Sequence, residues 1–149
     1  MIESPVQKSV FRFTGFFVRE SHFFIRGQEP SEVEMEISIQ PSGIIYSDLS
    51  QFELRLDVQV ASKSGMLEAK VSTSAFFDFD EGTDIALVPE NQFFTQNAPA
   101  IVFPYVRAYI STLTAQSGTG VVILPALNLL ELEQLLRDHI EIKGARDNE

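Results

Sequence analysis

The side chains that most often bind transition metals are scarce in this chain. Its 149 residues include two histidines, His22 and His139, and no cysteine. Neither histidine stands in a metal-binding spacing such as His-x-x-x-His, and His139 falls near a predicted helix end, where a cation is favoured in any case. We therefore predict no catalytic or metal-binding role for either histidine.

The other residues that could do chemistry also lack the necessary spacing. Four acidic residues lie close together, at Asp78, Asp80, Glu81 and Asp84. They lack the EF-hand spacing and its terminal bidentate glutamate, so we interpret them as a solvated turn after a strand. Gly118-Thr119-Gly120 is not followed by the lysine of a P-loop, and Ser117 lacks the Gly-x-Ser-x-Gly of a nucleophile elbow. We expect no enzyme activity, no cofactor and no metal.

Composition and charge limit the compartment and the partners. The chain has 21 acidic and 11 basic side chains, a formal charge of -10, which argues against nucleic acid because lysine and arginine supply most of that affinity. The lack of cysteine suits a reducing cytoplasm. Residues Met1–Pro5 do not resemble a signal peptide, and Arg107 and Pro125 interrupt the candidate membrane spans. We predict one cytoplasmic domain without membrane insertion.

The phenylalanines are concentrated in two parts of the chain. Eleven of the 13 fall within residues 11–24 and 76–94. Buried aromatic side chains usually fill a core, so packing against a sheet is the first interpretation. The alternative is that this phenylalanine-rich sheet also presents an apolar groove to a partner.

Alternation of apolar and polar residues predicts four consecutive strands. They are Val10–Arg26, Val33–Ile39, Phe52–Val60 and Leu67–Phe79. The parity of the first strand changes after Gly15, which predicts a bulge or bend there, and Pro41-Ser42-Gly43 resembles a turn. Short connections between consecutive strands favour an antiparallel sheet.

A long helix is predicted next. Asn97 is a candidate N-cap with Pro99 in the first turn, and the helix runs to about Gln116. Pro104 removes one helical hydrogen bond, so we expect a kink or a start nearer Pro104. A row of small side chains permits close approach of a neighbouring helix. It consists of Ala108, Ser111, Thr112 and Ala115.

The final helix has a clear N-terminal signal, with Asn128 as N-cap and Glu131 three residues later. Its apolar stripe is Leu129, Leu132, Leu135, Leu136 and Ile140, and its polar face includes Glu133 and Arg137. The predicted fold is α+β, a four-stranded antiparallel sheet followed by two helices packed on one face. We assign residues 1–9 to an N-terminal arm, 10–142 to the domain and 143–149 to a flexible acidic tail.

The chain resembles the SecB family of export chaperones over roughly residues 10 to 137. The most specific part is Phe103-Pro104-Tyr105-Val106-Arg107, which matches the Phe-Pro-Tyr-x-Arg segment that opens the main helix in that family. It is supported by the preceding run from Asn97, by Gly118, and by Leu124-Pro125-Ala126-Leu127-Asn128-Leu129. The predicted strands match the family's four strands in order.

The resemblance implies a homotetramer, a dimer of dimers, that holds unfolded or nascent polypeptides without nucleotide. The family lines its client grooves from the second strand and the last helix, which implies peptide contacts at Val33, Met35, Ile37, Leu129 and Leu132. It also implies that the main helix packs between subunits. The corresponding interface residues are Tyr105, Ala108, Ser111, Thr112 and Ala115.

The same resemblance bears on the choice of partner. SecB proteins recruit the ATPase SecA through an acidic patch on the outer sheet, where Glu20 matches one acidic position. Phe24 replaces a second acid, and Lys70 reverses the charge where the family has a glutamate, so SecA docking in the usual manner is not expected. SecB-like relatives also protect antitoxins of toxin–antitoxin systems, and an antitoxin is the alternative client to an exported preprotein.

Two other classes of function stay open at the level of sequence. A hot-dog enzyme also combines a sheet with one long helix, but that helix lies between early strands, whereas here all four strands come first. An adaptor module with one specific protein partner would show the same composition and the same lack of catalytic motifs.

Overall fold

The structure is a computed structural model that describes residues 11–28, 34–118, 122–125 and 128–145, without the side chain of Leu129. The elements are β1 (Phe11–Ile25), β2 (Met35–Tyr46), β3 (Gln51–Ser62), β4 (Leu67–Phe79), α1 (Gln92–Ala115), α2 (Leu129–Arg137) and β5 (Ile140–Lys143), with 3-10 turns at Ser47–Leu49 and Ile85–Glu90. The predicted arm, residues 1–9, and residues 146–149 of the predicted tail lie outside the described residues.

The fold is α+β, with a five-stranded sheet in the order β1-β4-β3-β2-β5. The first four strands pair antiparallel, as predicted. The predicted four-stranded sheet is nevertheless incomplete, because β5 pairs parallel with the second half of β2. The register of β1 shifts between Phe13 and Gly15, where the change of parity predicts a bulge, and again between Val18 and Glu20.

The assignment of Ile140 to the last helix is wrong, because this residue begins β5. The helix ends at Arg137, and a ring nitrogen of His139 lies 2.7 Å from the Leu135 carbonyl oxygen. The Gly43 N–H then donates to the His139 carbonyl at 2.9 Å. The edge of β2 thus pairs with the short Ile140-Glu141-Ile142 segment. Helical periodicity could not predict this pairing, because the two segments are far apart in the sequence.

β2 is longer than predicted, since Pro41-Ser42-Gly43 lies inside the strand and not in a turn. The Gly43 N–H points towards β5. The backbone nitrogen of Pro41, two residues earlier, points to the same edge of β2 but lies beyond the end of β5. The N–H that proline lacks therefore costs the sheet no hydrogen bond. A Cβ on Gly43 would collide with the Phe52 ring. The chain turns later, where Ser50 adopts a left-handed conformation with φ 48°.

The two phenylalanine clusters meet in one core, which supports the packing interpretation. Phe94 of α1 is fully buried at their centre. Its ring centroid lies 4.8 to 5.4 Å from those of four other phenylalanines, mostly in edge-to-face geometry. These are Phe11, Phe52, Phe77 and Phe79. Phe17, Phe24 and Phe93 remain exposed.

The predicted start of α1 near Asn97 or Pro104 is wrong. The helix begins at Gln92, and the Asn91 side chain caps it by accepting from the Phe94 N–H at 3.3 Å. Pro99 and Pro104 both lie inside the helix. An interior proline costs about 3 kcal/mol. A stripe of buried side chains at helical spacing outweighs that cost, because each of its larger side chains contributes about 1.5–3 kcal/mol. It contains Phe94, Ala98, Val102, Val106 and Ile110.

α2 begins as predicted, because the Asn128 side chain accepts from the Glu131 N–H at 3.2 Å. Glu133, however, is not on an exposed face and is only 1% exposed. Its carboxylate accepts from Thr95 Oγ1 at 2.6 Å and from Arg137 Nε at 2.8 Å. α2 packs against both α1 and β2. Glu133 lies beside the apolar stripe of α2 and therefore faces α1 and not solvent. Within the described ranges, no helix is long and apolar enough to cross a membrane.

A polar cluster lies on the outer face, the face of the sheet opposite the helices. Glu53 alternates with the apolar residues of β3, a pattern typical of a solvent-facing side chain, yet it is only 4% exposed. Its carboxylate accepts from the Tyr46 hydroxyl and the Ser74 hydroxyl, each at 2.6 Å, and from Arg55 Nε at 2.8 Å. Burial alone would raise the pKa of Glu53, but these hydrogen bonds and the Arg55 charge outweigh it, so the pKa lies below its ordinary value.

Acid should therefore remove part of the stability. The ionised Glu53 carboxylate stabilises the fold above its unfolded-state pKa of about 4.3, and this contribution is lost as pH falls through the lower folded pKa. Glu53→Gln should lower the free energy of unfolding by about 1.5–3 kcal/mol at neutral pH and by less in acid. Urea denaturation of both proteins in each condition measures the effect, with exposed Glu36→Gln as control. An equal loss at both pH values would contradict it.

Candidate functional site

An open groove with a volume of about 240 Å³ lies where α2 passes beside β2. Seven side chains line it: Ile37, Ile39, Pro125, Asn128, Glu131, Leu132 and Leu135. Three parts of the chain therefore meet here, namely β2, the segment that precedes α2, and the first two turns of α2. The apolar side chains outnumber the polar ones.

The local sequence explains two of the three walls. Alternation along β2 turns Ile37 and Ile39 to the helix side of the sheet and turns Ser38 to the outer face. In α2, Leu132 and Leu135 are three residues apart and therefore lie on neighbouring positions of one face. The groove is thus apolar because two amphipathic elements place their apolar sides next to each other.

Charge is confined to the rim of the groove. Glu131 is exposed in the first turn of α2, and it is the one charged side chain among the described lining residues. Asn128 is occupied as the N-cap of the same helix. The arrangement suits apolar side chains inside the groove, with a basic or polar group tolerated beside Glu131.

The structure brings together two of the five predicted groove residues, Ile37 and Leu132. Met35 is half-buried against the core and does not line the groove. Val33 lies outside the described residues, and Leu129 lies in the first turn of α2 with its side chain outside the description. Ile39 and Leu135 were missed, although continued alternation and three-residue spacing in the sequence could have indicated both.

The predicted interface residues lie mostly on one exposed face of α1. Ala108, Thr112 and Ala115 are exposed, and Tyr105 is 48% exposed. The Tyr105 ring packs at 5.3 and 5.4 Å, between centroids, against two phenylalanines of β1. Ser111 differs from the others, because its hydroxyl donates to the Val122 carbonyl of the same chain at 3.2 Å.

Glu20 lies exposed on the outer face of β1. Its carboxylate is 3.1 Å from His22 Nε2, and His22 pairs across the strands with Lys70. Phe24 stacks near the His22 ring at 6.3 Å between centroids. The predicted SecA position is thus surrounded by basic and aromatic groups as well as by acids.

Across residues 11–28, 34–118, 122–125 and 128–145, no group of three or more histidine or acidic side chains has a geometry that could hold a metal ion. Asp80, one of the four acidic residues between positions 78 and 84, forms an exposed ion pair with Arg12 at 2.8 Å.

Comparison with known proteins defines the class of fold. No protein-family model matches the chain. An uncharacterized protein of Methanocaldococcus jannaschii is 28% identical over 133 residues, covering 86% of this chain and 84% of the relative. Among solved structures, the chain matches a SecB-like chaperone with a TM-score of 0.65, at 15% identity, over 78% of this chain and 90% of that one. The fold is therefore that of SecB-like chaperones, as the resemblance implies.

The particular chaperone matched is Rv1957 of Mycobacterium tuberculosis. Its structure was solved in complex with a ChAD peptide from the Rv1956 HigA1 antitoxin. At this level of identity the match concerns the fold.

Proposed function

We propose that this protein is a SecB-like holdase, a chaperone that binds unfolded or nascent polypeptides without ATP, and that it is not an enzyme. The observation that carries the proposal is the apolar groove between β2 and α2 on a SecB-like fold. Of the predicted contacts, Ile37 and Leu132 line the groove, and Ile39 and Leu135 line it with them. Client contacts at Val33, Met35 and Leu129 remain predictions.

The size and chemistry of the groove support a polypeptide client. Its volume of about 240 Å³ is below the roughly 300–1,000 Å³ of pockets that enclose small molecules. It is open and lined mainly by aliphatic side chains, so it can accept apolar side chains of different shapes without demanding one sequence. The surplus of acidic residues keeps such a surface soluble and attracts basic segments.

Aggregation of a chemically unfolded client tests the function directly. We expect the protein to suppress light scattering when it is present at stoichiometric amounts, with no nucleotide added. Several unrelated clients should be protected, because the groove selects for apolar character and not for a single sequence. If no client is protected, the holdase proposal fails. Protection of one client alone would favour the adaptor alternative.

Two client classes fit this function, a preprotein for export and an antitoxin. The antitoxin is favoured, because the structure with the matching fold carries an antitoxin peptide and because Phe24 and Lys70 alter the surface around Glu20. Docking of SecA is correspondingly disfavoured. A toxin–antitoxin gene pair beside the gene for this protein would support the antitoxin, and its absence would favour export.

The hot-dog enzyme is the remaining alternative from another class. It requires a long helix between early strands, whereas α1 follows β4 here. The groove also offers Glu131 as its one ionisable group within the described lining, with no second group positioned to share proton transfer. We therefore do not adopt this alternative.

For assembly we propose a cytoplasmic homotetramer built through α1. The exposed small side chains at Ala108, Thr112 and Ala115 would let a second α1 approach closely, with Tyr105 at one end of the contact. Ser111 is the weakest member of the predicted set, because its hydroxyl is already bound within the chain.

Sedimentation at micromolar concentration should give a mass about four times the 16.7 kDa of the chain. Ala108→Glu should shift the protein to smaller species, because it places a charge in the centre of the contact. Ala86→Glu is the matched control, since Ala86 is also exposed but lies in the 3-10 turn before α1. A wild-type protein that sediments only as a monomer would refute the proposed assembly.

A further inference from the structure

Residues 122–125, the described segment between α1 and α2, are bound to α1 by hydrogen bonds from side chains. Ser111 Oγ donates to the Val122 carbonyl at 3.2 Å, and Thr114 Oγ1 accepts from the Val122 N–H at 2.8 Å. Leu124, two residues later, is buried at 2% exposure. Both the start of this segment and its apolar side chain therefore have fixed positions.

Arg107 fastens the other end of the same segment. Its Nη2 donates to the Pro125 carbonyl at 3.2 Å, and its guanidinium carbon lies 5.1 Å from the centroid of the Phe103 ring. Arg107, Ser111 and Thr114 follow each other at four- and three-residue spacing, so they lie along one side of α1. Together they form a cradle for residues 122–125.

Pro125 links this cradle to the groove, because it lines the groove together with Ile37 and Ile39. Proline has no backbone N–H, so only its carbonyl can anchor it through a hydrogen bond. Among the described residues, Arg107 donates that hydrogen bond. Displacement of Pro125 would therefore change the width of the groove.

We propose that Arg107 is a positioning residue for client binding, which holds the third wall of the groove through Pro125. The inference rests on the function proposed above and adds a determinant outside the groove lining. Arginine suits the task because its planar guanidinium can stack on Phe103 while an N–H points at the carbonyl. A lysine keeps the charge but lacks the planar group, so charge and geometry can be separated by substitution.

The matched control for Arg107 is Arg26. Its guanidinium also lies over an aromatic ring, 5.5 Å from the Phe24 centroid, and it also donates to a backbone carbonyl, that of Gly65 at 3.4 Å. Arg26 follows β1, whose Phe24 faces the outer side of the sheet, and it does not line the groove. Removing it deletes the same two kinds of contact at a different place, together with an ion pair to Glu68 at 3.5 Å.

The experiment compares Arg107→Ala, Arg107→Lys and Arg26→Ala by three measurements. These are the Kd for a fluorescent unstructured peptide rich in apolar residues, the thermal midpoint, and amide hydrogen exchange at Val122 and Leu124. We expect Arg107→Ala to weaken peptide binding about tenfold, the loss that corresponds to one hydrogen bond to a charged group. Arg107→Lys should recover little of the affinity, and Arg26→Ala should bind like wild type.

The outcomes separate this inference from the proposed function. If wild type does not bind the peptide, the proposed function fails. If wild type binds and both Arg107 variants bind the peptide as tightly as wild type does, the positioning role is overturned. Faster exchange at Leu124 in the Arg107 variants, with a thermal midpoint no lower than that of Arg26→Ala, would support positioning. A loss of affinity that simply follows the thermal midpoint across all variants would overturn it.

Discussion

Replacing Ile37 by glutamate should weaken binding of an apolar client segment by about 10- to 100-fold. Ile37 lies on the helix side of β2 and lines the groove together with Leu132. Contact with one apolar side chain contributes about 1.5–3 kcal/mol, and each 1.4 kcal/mol is a factor of ten in Kd. When a client binds, the new carboxylate would also either lose its water, which costs free energy, or keep water in the groove, which prevents close apolar contact.

The matched control is Ser38→Glu, one residue along the same strand. It makes the same change in charge, but Ser38 faces the outer side of the sheet and is exposed. Peptide binding by fluorescence anisotropy and suppression of aggregation should both be lost in Ile37→Glu and retained in Ser38→Glu. Because Ile37 also packs against the core, Ile37→Ala provides a milder variant if the glutamate variant does not fold. Equal behaviour of both glutamate variants would place the client elsewhere.

Phe94→Ala should lower the free energy of unfolding by about 3–5 kcal/mol, the largest loss of stability that we expect from a single substitution. Phe94 has no exposed surface, and its ring contacts those of Phe11, Phe52, Phe77 and Phe79. Truncation leaves a cavity where α1 crosses three strands, which the surrounding rings can fill only in part.

The neighbouring Phe93 provides the control for this prediction. Phe93 is 54% exposed in the same first turn of α1, so Phe93→Ala should lower the free energy of unfolding by far less. Urea denaturation of the three proteins measures both changes. Similar losses for the two substitutions would show that the phenylalanine core is not centred on Phe94.

Local sequence patterns predicted much of the fold correctly. Alternation located the four antiparallel strands, and the change of parity at Gly15 marked the register shift in β1. The Asn128 signal located the start of α2. These features depend on residues that are close in sequence, such as a cap with its first turn or a strand with its two faces.

The errors arose where distant residues decide the outcome. Pro41 resembles a turn but is tolerated within β2, because β5 begins opposite Gly43. α1 begins at Gln92, earlier than predicted, because burial of Phe94 and of the apolar residues that follow it along the helix outweighs the free-energy cost of two interior prolines. Glu53 alternates with apolar residues as a solvent-facing side chain would, yet partners from β2 and β4 enclose it.

The sequence by itself determined the order of the elements, the apolar face of each, and the resemblance to SecB. That resemblance in turn implied a groove between the second strand and the last helix, with Ile37 and Leu132 among its residues. Only the tertiary structure decided that Pro125 forms a third wall, that Arg107 holds it, and that β5 extends the sheet. The reason is physical, since periodicity tells which face of an element is apolar, whereas the neighbour of that face depends on packing across the whole chain.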